Sequence, residues 1–355
     1  MNRFRTILTA LSLAAILHAP AQASEGLRGV IAGSPQWATF KARFVGTDGR
    51  VVDNANGDVS HSEGQGFAMI MALAADDRAA FDRIWGFARD RLGIRRDGLL
   101  AWRWKPHALN KVPDRNNASD GDILVAWALM EADRAGWGRH YGNAALRIRK
   151  GLRKVLRSHP RYGTFIRPAV YGFSPDHQKG VEVLNLSYFV FPALERMAQL
   201  AGETVWLKAA RAGAHLVDAA SRNPAGLPAD WTALSPRSDE VGTAARFDPA
   251  FSYNAVRVPL YMAWARDGHR AALERMAERW ARRRGGPARI DVRRGRVTGR
   301  FNEQGYRAVA ALVECALDGT PYPAAMRSRL DTLYYPASLN LLATIAVRQR
   351  YPQCW

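Results

Sequence analysis

The chain has 355 residues, enough to bury a sizeable core as one large domain or two smaller ones. Its two cysteines, Cys315 and Cys354, are too few for a disulfide framework or a cysteine-built metal site. The 51 lysines and arginines against 32 acids give a formal net charge of +19, which suggests a nucleic-acid partner until the first residues are read.

Residues 1–23 open with Arg3 and Arg5, continue through an apolar stretch at 7–17 and end in Ala21-Gln22-Ala23. A basic start, an apolar middle and a small-x-small end make a signal peptide. The mature chain, 24–355, is therefore expected in the periplasm or outside the cell, where nucleic acid is not a partner. Losing Arg3 and Arg5 leaves a charge of +17. No later run reaches the roughly 18 apolar residues that span a bilayer, so no membrane span is expected. In an oxidising compartment a bridge between Cys315 and Cys354 stays open, because spacing alone does not fix pairing.

Apolar segments of helical length then recur at 67–75, 123–132, 186–200, 255–265, 306–317 and 339–347. Several are apolar on nearly all sides, as helices enclosed by other helices are. Between them run charged, amphipathic stretches at 78–89, 143–157, 205–221, 270–284 and 323–333, whose polar faces suit an outer layer. Alternation of the two kinds in antiparallel pairs describes an all-α toroid, an inner ring of helices inside an outer ring. The best strand signal is a hairpin at 288–298, where Ile290, Val292 and Val297 flank Arg294-Gly295. The basic run at 279–300, with Arg282-Arg283-Arg284 and Arg293-Arg294, reads as a solvated helix end followed by that hairpin. No low-complexity linker divides the chain, so a single domain is expected.

Polar residues gather where the apolar helices begin: Ser62-Glu63, Ser119-Asp120-Gly121-Asp122, Asn185, and Ser252-Tyr253-Asn254. The plain explanation is N-capping, and Ser62 with Gln65 and Ser119 with Asp122 have the capping-box spacing. Capping does not account for acids and aromatics together at one end of a ring whose inner helices all point the same way. Carboxylates in a cleft lined by aromatic rings suit sugar hydrolysis, with acids for the chemistry and flat rings for the apolar sugar faces. Trp102 and Trp104, in a loop before Lys105-Pro106, are candidate substrate-binding rings, with Tyr188, Trp231, Tyr253 and Tyr335.

The segments Ser62-Glu63-Gly64-Gln65-Gly66-Phe67-Ala68-Met69 and Ala118-Ser119-Asp120-Gly121-Asp122 resemble glycoside hydrolase family 8, particularly the endoglucanases that accompany bacterial cellulose synthesis. The likeness continues through Met71-Ala72-Leu73-Ala74-Ala75-Asp76-Asp77-Arg78, Ala101-Trp102, Ala126-Trp127, Phe251-Ser252-Tyr253, Ala255-Val256-Arg257 and Tyr334-Tyr335, over nearly the whole mature chain. The resemblance implies an (α/α)6 barrel with an open groove, cutting internal β-1,4 bonds of a glucan with inversion. It implies no metal and no organic cofactor, and a functional association with the cellulose synthase machinery. By the same motifs Glu63 is the general acid and Asp120 the second active-site carboxylate.

One position departs from the pattern. Where the family's general base is an Asp in Ser-Tyr-Asp-Ala-x-Arg, this chain has Asn254. An amide is no ordinary proton acceptor at neutral pH. Asp120 and, in Arg246-Phe247-Asp248-Pro249, Asp248 are then candidates to hold the water, the latter with an Asp-Pro turn as its plain explanation. Arg257, one helical turn after Asn254, can bond an acid or a sugar hydroxyl. A glucan-binding protein with weak or no activity, and a hydrolase of another β-1,4 polymer such as chitosan or xylan, stay open as alternatives.

Glu63 must stay protonated near neutrality to act as the acid, yet the first turn of a helix favours its carboxylate. Desolvation and repulsion from an ionised Asp120 are expected to outweigh that. Asp120, also in a first turn, is expected to remain charged.

Overall fold

The computed structural model describes residues 26–267, 269–282 and 286–355, so the expected signal peptide and Arg283-Arg284 lie outside the described residues. Twelve α-helices occur among these residues. In chain order they are α1 (Pro35–Phe44), α2 (Ser62–Ala74), α3 (Arg78–Phe87), α4 (Ser119–Arg134), α5 (Arg139–Leu152), α6 (Phe191–Ala201), α7 (Thr204–Ala220), α8 (Arg257–Trp264), α9 (Arg270–Met276), α10 (Gln304–Asp318), α11 (Ala324–Ser328) and α12 (Tyr334–Arg350). The even-numbered helices pack each on the next, and α12 closes the ring on α2. The odd-numbered helices surround them: α3 lies on α2, α5 on α4, α7 on α6, α9 on α8 and α10, and α11 and α1 on α12. This is the expected (α/α)6 barrel.

The division follows from side-chain polarity. In α2 every residue except Glu63 is buried, and in α4 burial runs from Ser119 to Ala132. Such helices keep their backbone bonds internal and give apolar surface on all sides to their neighbours. The outer α5 instead buries only the stripe Tyr141, Ala144, Ala145, Ile148, Gly151 and Leu152. Two glycines allow the close crossing of α2 and α4. A Cβ on Gly66 would lie 2.6 Å from Leu124 Cβ, and one on Gly121 would lie 2.7 Å from the Glu63 backbone nitrogen. Their absence of side chain is what brings the first turns of these helices together.

Several expected boundaries move, each for a local reason. The segment expected at 186–200 breaks: Leu186–Tyr188 is a 3₁₀ turn, and α6 begins at Phe191 with Pro192 in its first turn, where no hydrogen bond is lost. The stretch 143–157 ends its α-helix at Leu152 and turns into a strand. Residues 323–333 contribute only the five-residue α11. Sequence periodicity misses α1, although Ser34 accepts a hydrogen bond from the Trp37 N–H (3.3 Å) and Pro35 takes the first helical position.

Four small antiparallel sheets fill the connections. They pair β1 (Ser60–His61) with β2 (Arg103–Trp104), and β3 (Leu156–His159) with β4 (Gly163–Ile166). β6 (Thr232–Leu234) lies between β5 (Glu182–Leu184) and β7 (Val241–Thr243). The expected hairpin is present as β9 (Ala288–Asp291) and β10 (Arg296–Arg300), with β8 (Ala250–Phe251) added beside β9. Cys315 and Cys354 form a disulfide that ties α10 to the C-terminal turn.

Candidate active site

The starts of the inner helices converge at one end of the ring. Glu63 is the second residue of α2, and its place is set by β1 just before it. Backbone pairing of His61 with Arg103 continues in a bond from the Ser62 N–H to the Trp102 carbonyl (3.0 Å). Neither of the two serines read as caps closes its helix. Ser119 donates to the Arg167 carbonyl (2.8 Å), and the buried Ser62 hydroxyl has no hydrogen-bond partner among the described residues. Gln65, the expected partner of Ser62, instead accepts from the Val51 N–H (2.7 Å) and donates to the Gly49 (3.1 Å) and Ile84 (3.0 Å) carbonyls. It thereby fastens the loop before Asp53 onto α2.

Arg257, the first residue of α8, is the hub. Its Nη1 pairs with Glu63 Oε1 and donates to Asp120 Oδ2 at 3.1 Å, while Nη2 donates to Asn254 Oδ1 at 2.8 Å. The guanidinium carbon lies 5.8 Å from the centre of the Tyr188 ring. Asp120 is 2% exposed, and burial pushes its carboxyl up to about 7, opposed by the Gly121 N–H. The charge expected from its helix-start position therefore depends on the Arg257 cation beside it. Asp122 is buried as well, and burial pushes it up to about 8. It accepts from the Leu100 N–H (2.8 Å) and Asn117 Nδ2 (2.9 Å), and Asn117 accepts from the Val170 N–H (2.8 Å). This carboxyl joins α4 to the segment entering β2.

Glu63, Asn254, Arg257, Tyr253 and Tyr335 line one open cavity of about 490 Å³, with Asp53, Glu303 and Tyr306 completing its polar wall. The Tyr335 hydroxyl donates to the Tyr253 carbonyl, and the Tyr306 ring stands 6.5 Å from Tyr253 and 6.4 Å from Tyr335. Asp248 is elsewhere: its side chain is 79% exposed and pairs with Arg289 at 2.6 Å, on the surface and off the cavity lining.

The tryptophans lie outside that lining. Trp102 and Trp104 belong to or flank β2 rather than a free loop, because β2 is bonded to the strand that feeds α2. Trp102 lies nearly parallel to His61 (6.1 Å, 13°), carries Arg103 4.1 Å from its ring centre, and donates to Asp114 (2.8 Å). Burial first, then the Arg103 and Arg257 charges, push His61 down to about 4, so the ring beside Trp102 is neutral at neutral pH. Trp104 packs edge-on against Phe87 (5.7 Å), with Arg50 5.2 Å from its ring centre. Trp231 is stacked against both Phe173 (5.5 Å, 4°) and Phe247 (4.6 Å, 21°), so protein rings already use its faces.

Sequence reading missed three acids here. Asp53 faces the cavity and lies 4.0 Å from His61 Nδ1. Asp230 accepts from the Ser252 N–H (2.9 Å) and the Ala255 N–H (2.8 Å), clamping the turn that carries Tyr253 and Asn254. Burial pushes its carboxyl up to about 6, against those backbone bonds. Glu303 stands at the start of α10, where its spacing reads only as a helix beginning. An acid two to four residues before an apolar run was the available signal for Glu303. None existed for Asp230, whose partners are more than twenty residues away.

The chain matches the model of glycosyl hydrolases family 8 over residues 5–348. An endoglucanase of Cellulomonas uda is 39% identical over 239 residues, which is 67% of this chain and 65% of that protein's length. A probable endoglucanase of Novacetimonas hansenii is 35% identical over 317 residues, covering 88% of this chain and 90% of the relative. Among solved structures, a family 8 endo-β-1,4-glucanase from an Achatina fulica gut metagenomic library superposes with a TM-score of 0.79 at 35% identity, covering 89% of this chain and 98% of the other. The endo-β-1,4-glucanase CMCax of Acetobacter xylinum gives 0.79 at 34% identity, over 90% and 98%. With the match spanning almost the full sequence and the motif acids brought together at the starts of the inner helices, the chain belongs to glycosyl hydrolase family 8.

Proposed function

We propose that the protein is an endo-β-1,4-glucanase that hydrolyses internal bonds of a cellulose-like glucan with inversion, using Glu63 as general acid. The observation that carries this is the placement of Glu63. It is the one residue of α2 that is not buried, and it lines an open cavity walled by Tyr253, Tyr306 and Tyr335. A polymer needs such an open site, and tyrosine rings suit the apolar faces of pyranose units. Tyr188 lies beside Arg257 outside the cavity lining, and Trp102 and Trp104 lie on or next to β2, which is bonded to the strand that leads into Glu63.

Inversion needs a proton on the leaving oxygen and a water attacking from the opposite face in one step. Arg257 favours the Glu63 carboxylate while the two are paired. When a glucan is bound, the leaving oxygen takes the place of that contact, and Arg257 keeps Asp120 and Asn254 as partners. Asp120, charged by Arg257, then supports the positive sugar that develops as the bond breaks. Residues 24–355 act as one catalytic domain, in the periplasm or outside the cell after cleavage near Ala23. The motif likeness to endoglucanases that accompany cellulose synthesis supports an association with the synthase machinery.

Incubation with soluble carboxymethylcellulose is the test: new reducing ends form, and ¹H NMR shows the first product as the α-anomer. A β-anomer first would sink inversion. Asn254 favours a second reading, a glucan-binding protein without activity, and that reading gains if chains bind but no ends are released.

A further inference from the structure

An inverting site needs a carboxylate for the water, and Asn254 leaves that place empty of one. Four other acids lie close by, and geometry separates them. Asp120 has one oxygen on the Gly121 N–H and the other on Arg257, and is almost wholly buried. Asp230 spends its Oδ1 on two backbone N–H groups, and does not line the cavity. Asp53 lines it, but next to His61, which stands two residues from Glu63. That puts Asp53 on the acid's own side of the ring. The fourth, Glu303, also lines the cavity.

Ring order sets Glu303 beside the helix that follows Asn254 and off the helix that carries Glu63. The inner helices run α2, α4, α6, α8, α10, α12 and back to α2, so α8 stands three places from α2, across the ring. Glu303 leads into α10, which packs on α8, and the Tyr306 ring one turn on faces Tyr253, the neighbour of Asn254. Its carboxyl is uncommitted: it makes no ion pair or hydrogen bond among the described residues. The duty that ordinarily occupies an acid at a helix start is done by another residue. Asp331 reaches in to accept from the Gln304 N–H (3.0 Å) and the Gly305 N–H (2.9 Å), capping α10 in place of Glu303.

We propose that Glu303 is the general base of this enzyme, taking over the role that the Asn254 position no longer performs. The inference rests on the glucanase reading above. As Glu63 gives its proton to the leaving glycosidic oxygen and the C–O bond breaks, the water oxygen bonds the anomeric carbon. The Glu303 carboxylate takes the proton that water loses. The products are an α-anomeric reducing end and a free 4-hydroxyl, and solvent carries the proton from Glu303 back to Glu63. The Asn254 amide, held by Arg257, orients the water from the α8 side.

The experiment compares wild type, Glu303→Gln, and Glu303→Gln combined with Asn254→Asp, on soluble carboxymethylcellulose and on a dinitrophenyl cellooligosaccharide. Thermal melting of each variant checks that it is folded. Loss of the base lowers kcat about 10²- to 10⁴-fold. For Glu303→Gln that loss is expected on both substrates, because water activation is needed whatever the leaving group, with KM little changed. Added azide is expected to restore turnover and give the α-glycosyl azide, since an anion needs no base. The double variant is expected to recover at least tenfold of the loss. A folded Glu303→Gln variant with wild-type kcat, or one that azide does not rescue, overturns the assignment. Wild type that releases no ends from either substrate refutes the glucanase reading itself, which is a different outcome.

Discussion

Arg257 holds Asp120 at 3.1 Å in a pocket that leaves the acid 2% exposed. The two residues are 137 positions apart, on α8 and α4, so this contact joins inner helices that stand two places apart in the ring, with α6 between them. Removing the cation strands a buried charge, a change that typically costs about 3–5 kcal/mol. Asp120 can evade part of that by taking a proton, because burial already pushes it upward. Arg257→Met is therefore expected to lose several kcal/mol at pH 8 and less at pH 5, with activity lost at both. Urea denaturation at the two pH values checks this; equal losses would refute it.

Glu63→Gln keeps the size and most of the contacts of the acid but cannot donate a proton to the leaving oxygen. Its kcat on carboxymethylcellulose should fall about 10²- to 10⁴-fold. On a dinitrophenyl glycoside, whose leaving group needs no proton, the rate should remain near wild type. A parallel fall on both substrates would take the acid role away from Glu63.

Asp122 predicts a dependence of stability on pH. Its folded-state carboxyl is raised from 3.8 to about 8, so the folded protein holds a proton that the unfolded chain releases. Stability from this group is full in acid and is lost as pH rises between those two values, by up to about 1.4 kcal/mol per unit. Asp122→Asn cannot titrate, and should flatten the fall in melting temperature between pH 5 and pH 8. It should also be less stable than wild type at pH 5, because its amide faces Asn117 Nδ2 donor to donor. Calorimetry across that range decides the matter.

Asp230 acts through the turn it clamps. Asp230→Ala leaves the Ser252 and Ala255 N–H groups unpaired, at about 1–3 kcal/mol each. With Tyr253 and Asn254 no longer fixed, kcat should fall roughly tenfold and KM rise, by the cost of a displaced group at a reacting centre. Asp230→Asn retains an acceptor oxygen and should recover most of both. If the two variants behave alike in kcat and KM, Asp230 is only a structural residue.

The parts of the molecule written in local pattern were legible in the sequence. α2 and α4 read as enclosed helices because their runs 67–74 and 123–130 are apolar on every side, and Glu63 stands out in the first turn of α2 as a charged residue just ahead of such a run. The β9 and β10 hairpin was readable from its turn, Arg294-Gly295. What escaped was decided by tertiary partners. Ser119 has the spacing of a cap, yet a carbonyl 48 residues away takes its hydroxyl. Asp331 caps a helix that begins 27 residues earlier, which hides the freedom of Glu303. Strands of two to four residues such as β5, β6 and β7 carry no period long enough to count.

The closing contact of α12 on α2 also has a temporal meaning. The cavity draws Asp53 and Glu63 from the early chain and Tyr335 and Pro336 from the late chain, so nothing resembling it exists on a partly made polypeptide. Helix pairs can form one after another as the chain emerges, but five pairs leave an open arc with Glu63 facing solvent. A ring of this kind is switched on by its last helix, and the Cys315–Cys354 bridge then fastens the turn that follows that helix to α10.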